Sequence, residues 1–199
     1  MTGCPKARAS NRKTILGSDI ETFGGYRVNT AKSGVYRELL EAIISQLEAC
    51  YAYHGRLLVV RFDLHSYGFR PDSDNTAVSL FMKQIVQWIS RTYTTKKVGR
   101  VWVRERERAK RQHYHCALMI DGDRIRHSKK LLEAIKDKWV LADTGNFMPD
   151  IPKPYYFVDK HSGLDDSVYR LSYLAKARGK GYRPDQVKDY ATSRIKKSQ

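Results

Sequence analysis

In the run Gln112-His113-Tyr114-His115-Cys116-Ala117-Leu118-Met119-Ile120-Asp121, two histidines are separated by one bulky residue at the start of an apolar stretch. Side chains alternate along an extended chain, so both imidazoles lie on one face. Neutral imidazole is a good metal ligand, and two on one face can share an ion when a third donor arrives from a neighbouring strand. Glu105 and Glu107 occupy the preceding stretch. A hairpin register that opposes Glu105 to His113 or His115 brings three ligands together, whereas a slip of one residue separates them. The same parity sends Arg104 and Arg106 toward the other side of the sheet. Glu107, Asp63 and His65 are rival third ligands, and His65 is equally suited to hydrogen bonding at a strand end. Taken alone, H-x-H is a short pattern whose bland alternative is a pair of surface or hydrogen-bonded histidines.

A second group lies in Tyr169-Arg170-Leu171-Ser172-Tyr173-Leu174-Ala175-Lys176. On a helix Val168, Leu171, Leu174 and Ala175 form the packing stripe, while Tyr169, Tyr173 and Lys176 gather on roughly the opposite side. A phenol ordinarily ionises near pH ~10, so a nucleophilic tyrosine needs help from a polarised phosphate, a base or a nearby cation. Lys176, close to Tyr173 along the helix, can supply the cation. Without a metal site, the plainer role of these tyrosines is stacking or packing.

The elements that must position these groups follow from hydrophobic period. Leu39, Leu40, Ile43, Ile44 and Leu47 recur at helical spacing from Tyr36 and stop at Gly55. Leu57 to His65 reads as a strand with Leu58, Val60, Phe62 and Leu64 on one face and Arg61, Asp63 and His65 on the other. Pro71 to Asp74 makes a turn and cap before a second helix marked by Val78, Phe81, Met82, Ile85 and Trp88. Val98 to Glu107 and Gln112 to Asp121 form a hairpin. A third helix spans about Lys129 to Leu141, a strand Tyr155 to Asp159, and a fourth helix Asp165 to Arg178, capped by Asp165 or Asp166 and stopped at Gly179. The order is β-α-β-β-α-β with extra helices at both ends. It predicts an α+β, ferredoxin-like antiparallel sheet with two helices on one face and the other face free for a site. Residues 1–33 read as a basic flexible arm, 34–180 as the working domain and 181–199 as a basic tail.

Composition narrows the partners. With 37 Lys+Arg against 21 Asp+Glu in 199 residues, the net charge is +16, a balance suited to phosphates. The short, charge-interrupted apolar stretches argue against a membrane, and no secretory signal follows the basic N-terminus, so a cytoplasmic protein is expected. Cys4, Cys50 and Cys116 have neither disulfide-framework nor zinc-ribbon spacing. A P-loop motif is absent from the sequence.

In combination these motifs resemble the HUH superfamily of rolling-circle replication initiators and relaxases. More closely, Arg61-Phe62-Asp63-Leu64-His65, Val101-Trp102-Val103-Arg104-Glu105, His113-Tyr114-His115 and Ser172-Tyr173-Leu174-Ala175-Lys176 are similar to the inovirus-type replication proteins that include the YagK/YfjJ prophage proteins. The resemblance spans residues 36 to 180 or so, and it implies a sheet of the HUH/Rep palm type with a C-terminal tyrosine-bearing helix. It also implies that His113, His115 and Glu105 hold Mg²⁺ or Mn²⁺, with Asp63, His65 and Arg61 supporting the site face. Tyr173, or Tyr169 one turn away, attacks a single-stranded DNA phosphate at an origin hairpin or similar site, and Lys176 neutralises developing charge. The products are a 5′-phosphotyrosine and a free 3′-hydroxyl. Unwinding is borrowed from a separate helicase, and no small-molecule cofactor is implied. The competing functions are a relaxase or transposase using the same residues and a noncatalytic RRM-like regulator that stacks bases on Tyr155, Tyr156 and Tyr173. A phosphodiesterase with paired H-x-[ST] motifs fits poorly, because no second histidine pair follows.

Overall fold

Along the central strand, Leu58, Val60, Phe62 and Leu64 enter one apolar layer, while Leu57 and Val59 enter another. The computed structural model describes residues 14–70, 73–106, 112–125 and 127–197. Its first part holds β1 (Ile15–Leu16), β2 (Thr22–Phe23), β3 (Tyr26–Arg27), β4 (Val35–Tyr36), α1 (Arg37–His54), β5 (Leu57–Ser66) and α2 (Thr76–Thr92). The hairpin strands β6 (Gly99–Glu105) and β7 (His113–Asp121) follow, then α3 (Ser128–Ala142), β8 (Asn146–Phe147) and β9 (Tyr155–Val158). The last elements are α4 (Asp165–Ser172), a 3-10 turn (Tyr173–Ala175) and β10 (Tyr190–Thr192).

The described residues are therefore α+β, with four helices around an antiparallel sheet of six strands. The sheet runs β10-β6-β7-β5, and β8 and β9 both pair with the far edge of β5, at opposite ends of it. On one face, Val78, Phe81, Met82 and Ile85 of α2 and Leu131, Ile135 and Trp139 of α3 pack against the even-numbered residues of β5. The other face carries α1 through Leu39, Leu40, Ile43 and Leu47, and α4 through Val168 and Leu171. Each of these side chains contributes about 1.5–3 kcal/mol by leaving water. Gly55 ends α1 at φ 72°, a conformation glycine adopts without penalty.

The expectation of one free face is corrected by this second layer. α1 and α4 cover Val59, Val101, Val103, Ala117 and Met119, so only the far end of the face is left for polar groups. The fourth helix is also shorter than its period suggests. It ends at Ser172, tightens into the 3-10 turn, and becomes extended at Lys176 (φ −50°, ψ 135°), which bridges to Val35. Its N-cap is Leu164, without a side-chain cap; Asp165 and Asp166 instead occupy the first turn, where their charge suits the helix dipole.

Both ends of the described chain differ from the composition-based expectation of arm and tail. Leu16, Ile20, Phe23 and Tyr26 pack onto the layer under α1, and the Asn29 N–H donates to Ser172 Oγ at 2.8 Å. β10 pairs with β6, and Gln46 of α1 holds the segment after it by bonds to Ile195 N, Ile195 O and Ser193 Oγ. A few apolar side chains per segment are enough here because α1 and β6 already offer surface to cover. Among the described residues, no helix is long and apolar enough to cross a membrane.

Candidate metal site and its tyrosine

The hairpin register decides which side chains meet. Glu105 of β6 faces His113 of β7, His113 faces His65 of β5, and His65 faces Phe147 of β8. The adjacent row across the sheet is Val103, His115 and Asp63. Period two puts both rows on the face that carries α1 and α4, beyond the point where those helices stop covering it. Glu105, His113 and His115 thereby bring ligand atoms to within 4.8 Å of one another. Arg104, as parity requires, turns to the opposite face and donates to the backbone oxygen of Ser73.

His115 is 4% exposed and its two ring nitrogens have different surroundings. Nδ1 lies 2.8 Å from Asp63 Oδ1, and because a carboxylate only accepts, Nδ1 carries the proton. That leaves Nε2 as the lone-pair nitrogen of the neutral ring, aimed at the cluster. Nε2 is 3.3 Å from Glu105 Oε2 yet is buried without a hydrogen bond of acceptable geometry. Two lone-pair atoms at that distance repel unless a cation lies between them. A proton on Nε2 satisfies this in one state, and a metal ion shared with His113 in another, so the donor set fits a divalent ion.

The charges around the ring reinforce this arrangement. Burial disfavours a charged His115, but Asp63 and Glu105 outweigh it and raise the pKa above the ordinary histidine value. Burial likewise works against the Glu105 carboxylate, and His115, Lys180 and His113 overcome it, holding Glu105 down at about 2. Asp63 is opposed by burial and held ionised by His115 and by Arg61, whose Nη2 is 3.6 Å away. His65, stacked on His113 with ring centroids 4.8 Å apart, is depressed to about 4 by burial and by its neighbour's charge. At neutral pH it is an uncharged ring beside the cluster.

Tyr173 opens the 3-10 turn and packs its ring edge-on against His115, with centroids 5.7 Å apart. Arg61 Cζ lies 4.7 Å and Lys176 Nζ 5.0 Å from the same ring centroid. Tyr169 is elsewhere: it is 38% exposed and carries Arg27 over its ring at 4.7 Å. The structure thus gathers Glu105, His113, His115, Asp63, His65, Arg61, Tyr173 and Lys176, and leaves Tyr169 outside. Glu107 lies outside the described residues.

Two residues of this site carry no signal in the sequence. Lys180 Nζ is fully buried, 3.6 Å from Glu105 Oε2. Gly179, which reads only as a helix stop, has φ +74° and approaches so closely that an added Cβ would stand 2.5 Å from Glu105 Cγ. The Gly179 carbonyl accepts the Arg106 N–H at 2.7 Å, tying this turn to the end of β6. A buried lysine between two glycines becomes meaningful only when the chain folds back onto β6.

No curated protein matches the chain. The model of the YagK/YfjJ C-terminal domain matches residues 18–144, a span that includes Arg61, Asp63, His65, Glu105, His113 and His115 but ends before Tyr173, Lys176 and Lys180. With well over half of its length matched, the chain belongs to the YagK/YfjJ C-terminal domain family.

Proposed function

We propose that this protein is a metal-dependent endonuclease of the HUH superfamily, an inovirus-type replication protein that nicks and rejoins single-stranded DNA to initiate rolling-circle replication of a phage or prophage. The observation that carries the reading is the convergence of Glu105, His113 and His115 with the ring of Tyr173 against His115. The strand order β6-β7-β5-β9, with α2 and α3 together on one face, agrees with a ferredoxin-like palm. The net charge of +16 suits a polyanionic substrate.

Glu105, His113 and His115 would hold Mg²⁺ or Mn²⁺, which when bound supplies Lewis-acid withdrawal of charge from a scissile phosphate. Asp63 fixes the His115 tautomer and orientation by accepting from Nδ1. The Tyr173 oxygen, giving up its proton, attacks phosphorus and the P–O3′ bond breaks; O3′ takes up a proton, leaving a 5′-phosphotyrosine and a 3′-hydroxyl that can prime synthesis. Rejoining is the reverse, with the 3′-hydroxyl displacing the tyrosine. Arg61 and Lys176, close to the Tyr173 ring, offset negative charge as it develops. Mobilisation by a relaxase or transposase would use the same residues and the same chemistry, and the DNA substrate decides between the two; the likeness of the motifs to the inovirus-type proteins supports the replication reading. Residues 1–199 hold no P-loop motif, and in this reading unwinding comes from a helicase outside them.

The test is a covalent adduct. Labelled single-stranded DNA incubated with the protein and Mn²⁺ should yield a protein-bound label that is lost in Tyr173→Phe and His113→Ala and retained in Tyr169→Phe. An adduct that survives Tyr173→Phe and vanishes in Tyr169→Phe overturns the choice of nucleophile. Tight binding with no adduct under any divalent ion favours the noncatalytic regulator.

A further inference from the structure

Two of the buried side-chain nitrogens that lack a hydrogen-bond partner among the described residues are the Nε atoms of Arg61 and Arg170. A guanidinium presents Nε–H and one Nη–H as a fork that fits two oxygens of a phosphate. In both arginines one arm of that fork is unused. Burying a donor without an acceptor is costly, and folded proteins generally avoid it.

The two side chains come from different elements and flank the same tyrosine. Arg61 belongs to β5, is 6% exposed, and lies over the Tyr173 ring. Arg170 stands on α4 three residues before Tyr173, a spacing that makes the two neighbours on one helix face. One loop braces both arginines. The Pro154 carbonyl accepts the Arg61 backbone N–H at 2.7 Å, and the Pro152 carbonyl accepts from Arg170 Nη2. Lys153, between these prolines, is exposed and held at φ 46°, a left-handed conformation that persists only where the surrounding structure imposes it. It adds a third positive charge to the same loop.

The charges here are poorly offset. Asp63 lies 3.6 Å from Arg61, and the same carboxylate oxygen also accepts from His115. The oxygen that Arg170 meets is a neutral carbonyl. Burial lowers the pKa of Arg61, Asp63 opposes this, and the nearby charge of Arg170 lowers it further. Two guanidinium groups that repel each other, each with an unused donor, are suited to sharing an oxyanion.

We infer that Arg61 and Arg170 form a second phosphate site, which holds the phosphodiester next to the scissile one in the single strand under attack. This rests on the endonuclease reading. The Tyr173 ring meets both His115 and Arg61, so a strand whose scissile phosphate faces Glu105, His113 and His115 brings its neighbouring phosphate within reach of the arginines. Two fixed phosphates set the direction of the strand across the tyrosine and align phosphorus with the attacking oxygen.

The experiment maps the cut in a labelled single-stranded DNA with Mn²⁺, then replaces one linkage at a time by a neutral methylphosphonate. In wild type, a neutral linkage next to the cut should lower adduct formation about tenfold, the size of one charge-assisted contact. The same replacement should have no further effect in Arg170→Gln, because the two changes remove one interaction. Binding of the unmodified strand across a salt series gives a second readout. The slope of log affinity against log salt should fall by about 0.7 in Arg170→Gln and return in Arg170→Lys, which keeps the charge. Lys83→Gln, an exposed position of α2 on the opposite side of the sheet, should leave the slope as it is. Thermal unfolding checks that each variant folds. Indifference of wild type to every neighbouring neutral linkage refutes the second site without recourse to a variant. An Arg170→Gln protein that binds and forms adduct as wild type does, or that loses as much as wild type to the neutral linkage, refutes it while Tyr173 and the metal site stand. If wild type forms no adduct, the endonuclease reading fails and the second site falls with it.

Discussion

Gly179→Ala is a small substitution with a large expected consequence. The three atoms nearest to a Cβ at this position all belong to Glu105: Cγ at 2.5 Å, Cδ at 3.0 Å and Oε1 at 3.1 Å. Ordinary carbon contacts lie at ~3.5–4.0 Å, so Glu105 must withdraw by about 1 Å. Cγ sits next to the backbone and cannot swing aside as the end of a long side chain can. The positive φ of 74° adds a cost of about 1–3 kcal/mol for any residue with a Cβ. The fold should therefore lose about 1–3 kcal/mol, and Mn²⁺ affinity should fall about 10–100-fold, the range seen when the support of a ligand is disturbed. Titration calorimetry with Mn²⁺ and thermal unfolding with and without the ion measure both effects. Wild-type Mn²⁺ affinity in a folded Gly179→Ala protein would refute the role of the close Gly179 approach in placing Glu105.

Three further outcomes follow from the same geometry. Lys180→Met removes the cation 3.6 Å from Glu105 Oε2. It should lower stability by about 3–5 kcal/mol, as for a broken buried pair, while raising Mn²⁺ affinity several-fold because a competitor for the carboxylate is gone; denaturant unfolding and calorimetry should show the opposite signs. Asp63→Asn weakens the bond that orients His115, and about a tenfold loss of Mn²⁺ affinity is expected by calorimetry, with recovery absent at higher pH. Since His115 is raised above the ordinary histidine pKa, the metal must displace its proton at neutral pH. Apparent Mn²⁺ affinity should climb with pH below the raised value and level off above it, with proton release detected as a dependence of the binding heat on buffer ionisation. In the metal-free protein the sign is opposite: the stabilisation from a charged His115 is complete below the unfolded value near ~6.5 and is lost as pH rises through the folded one.

Legibility in the sequence tracked the distance along the chain over which each contact forms. Glu105, His113 and His115 were readable because strand parity and one hairpin register relate them, and Arg61, Asp63 and His65 because they alternate with an apolar row in a single strand. The helices α1, α2 and α3 carried strong apolar periods. Lys180 and Gly179 could not be found this way, since their meaning comes from a long-range return of the chain onto β6. β10 is too short for alternation to register, and its existence depends on the edge that β6 leaves unpaired. The helical period across Tyr169–Lys176 overruns the true helix because the pairing of Lys176 with Val35 extends the backbone there. Ahead of that stop the two tyrosines have different neighbours, Tyr173 packing against His115 and Tyr169 beside Arg27.

The most direct measurement is X-ray diffraction at the manganese absorption edge from crystals of the protein soaked in Mn²⁺. The account predicts a single strong anomalous peak at coordination distance from a Glu105 carboxylate oxygen, a His113 ring nitrogen and His115 Nε2, beside the ring of Tyr173. A peak on Asp63 and His65 instead, or none near the two imidazoles at saturating Mn²⁺, contradicts it.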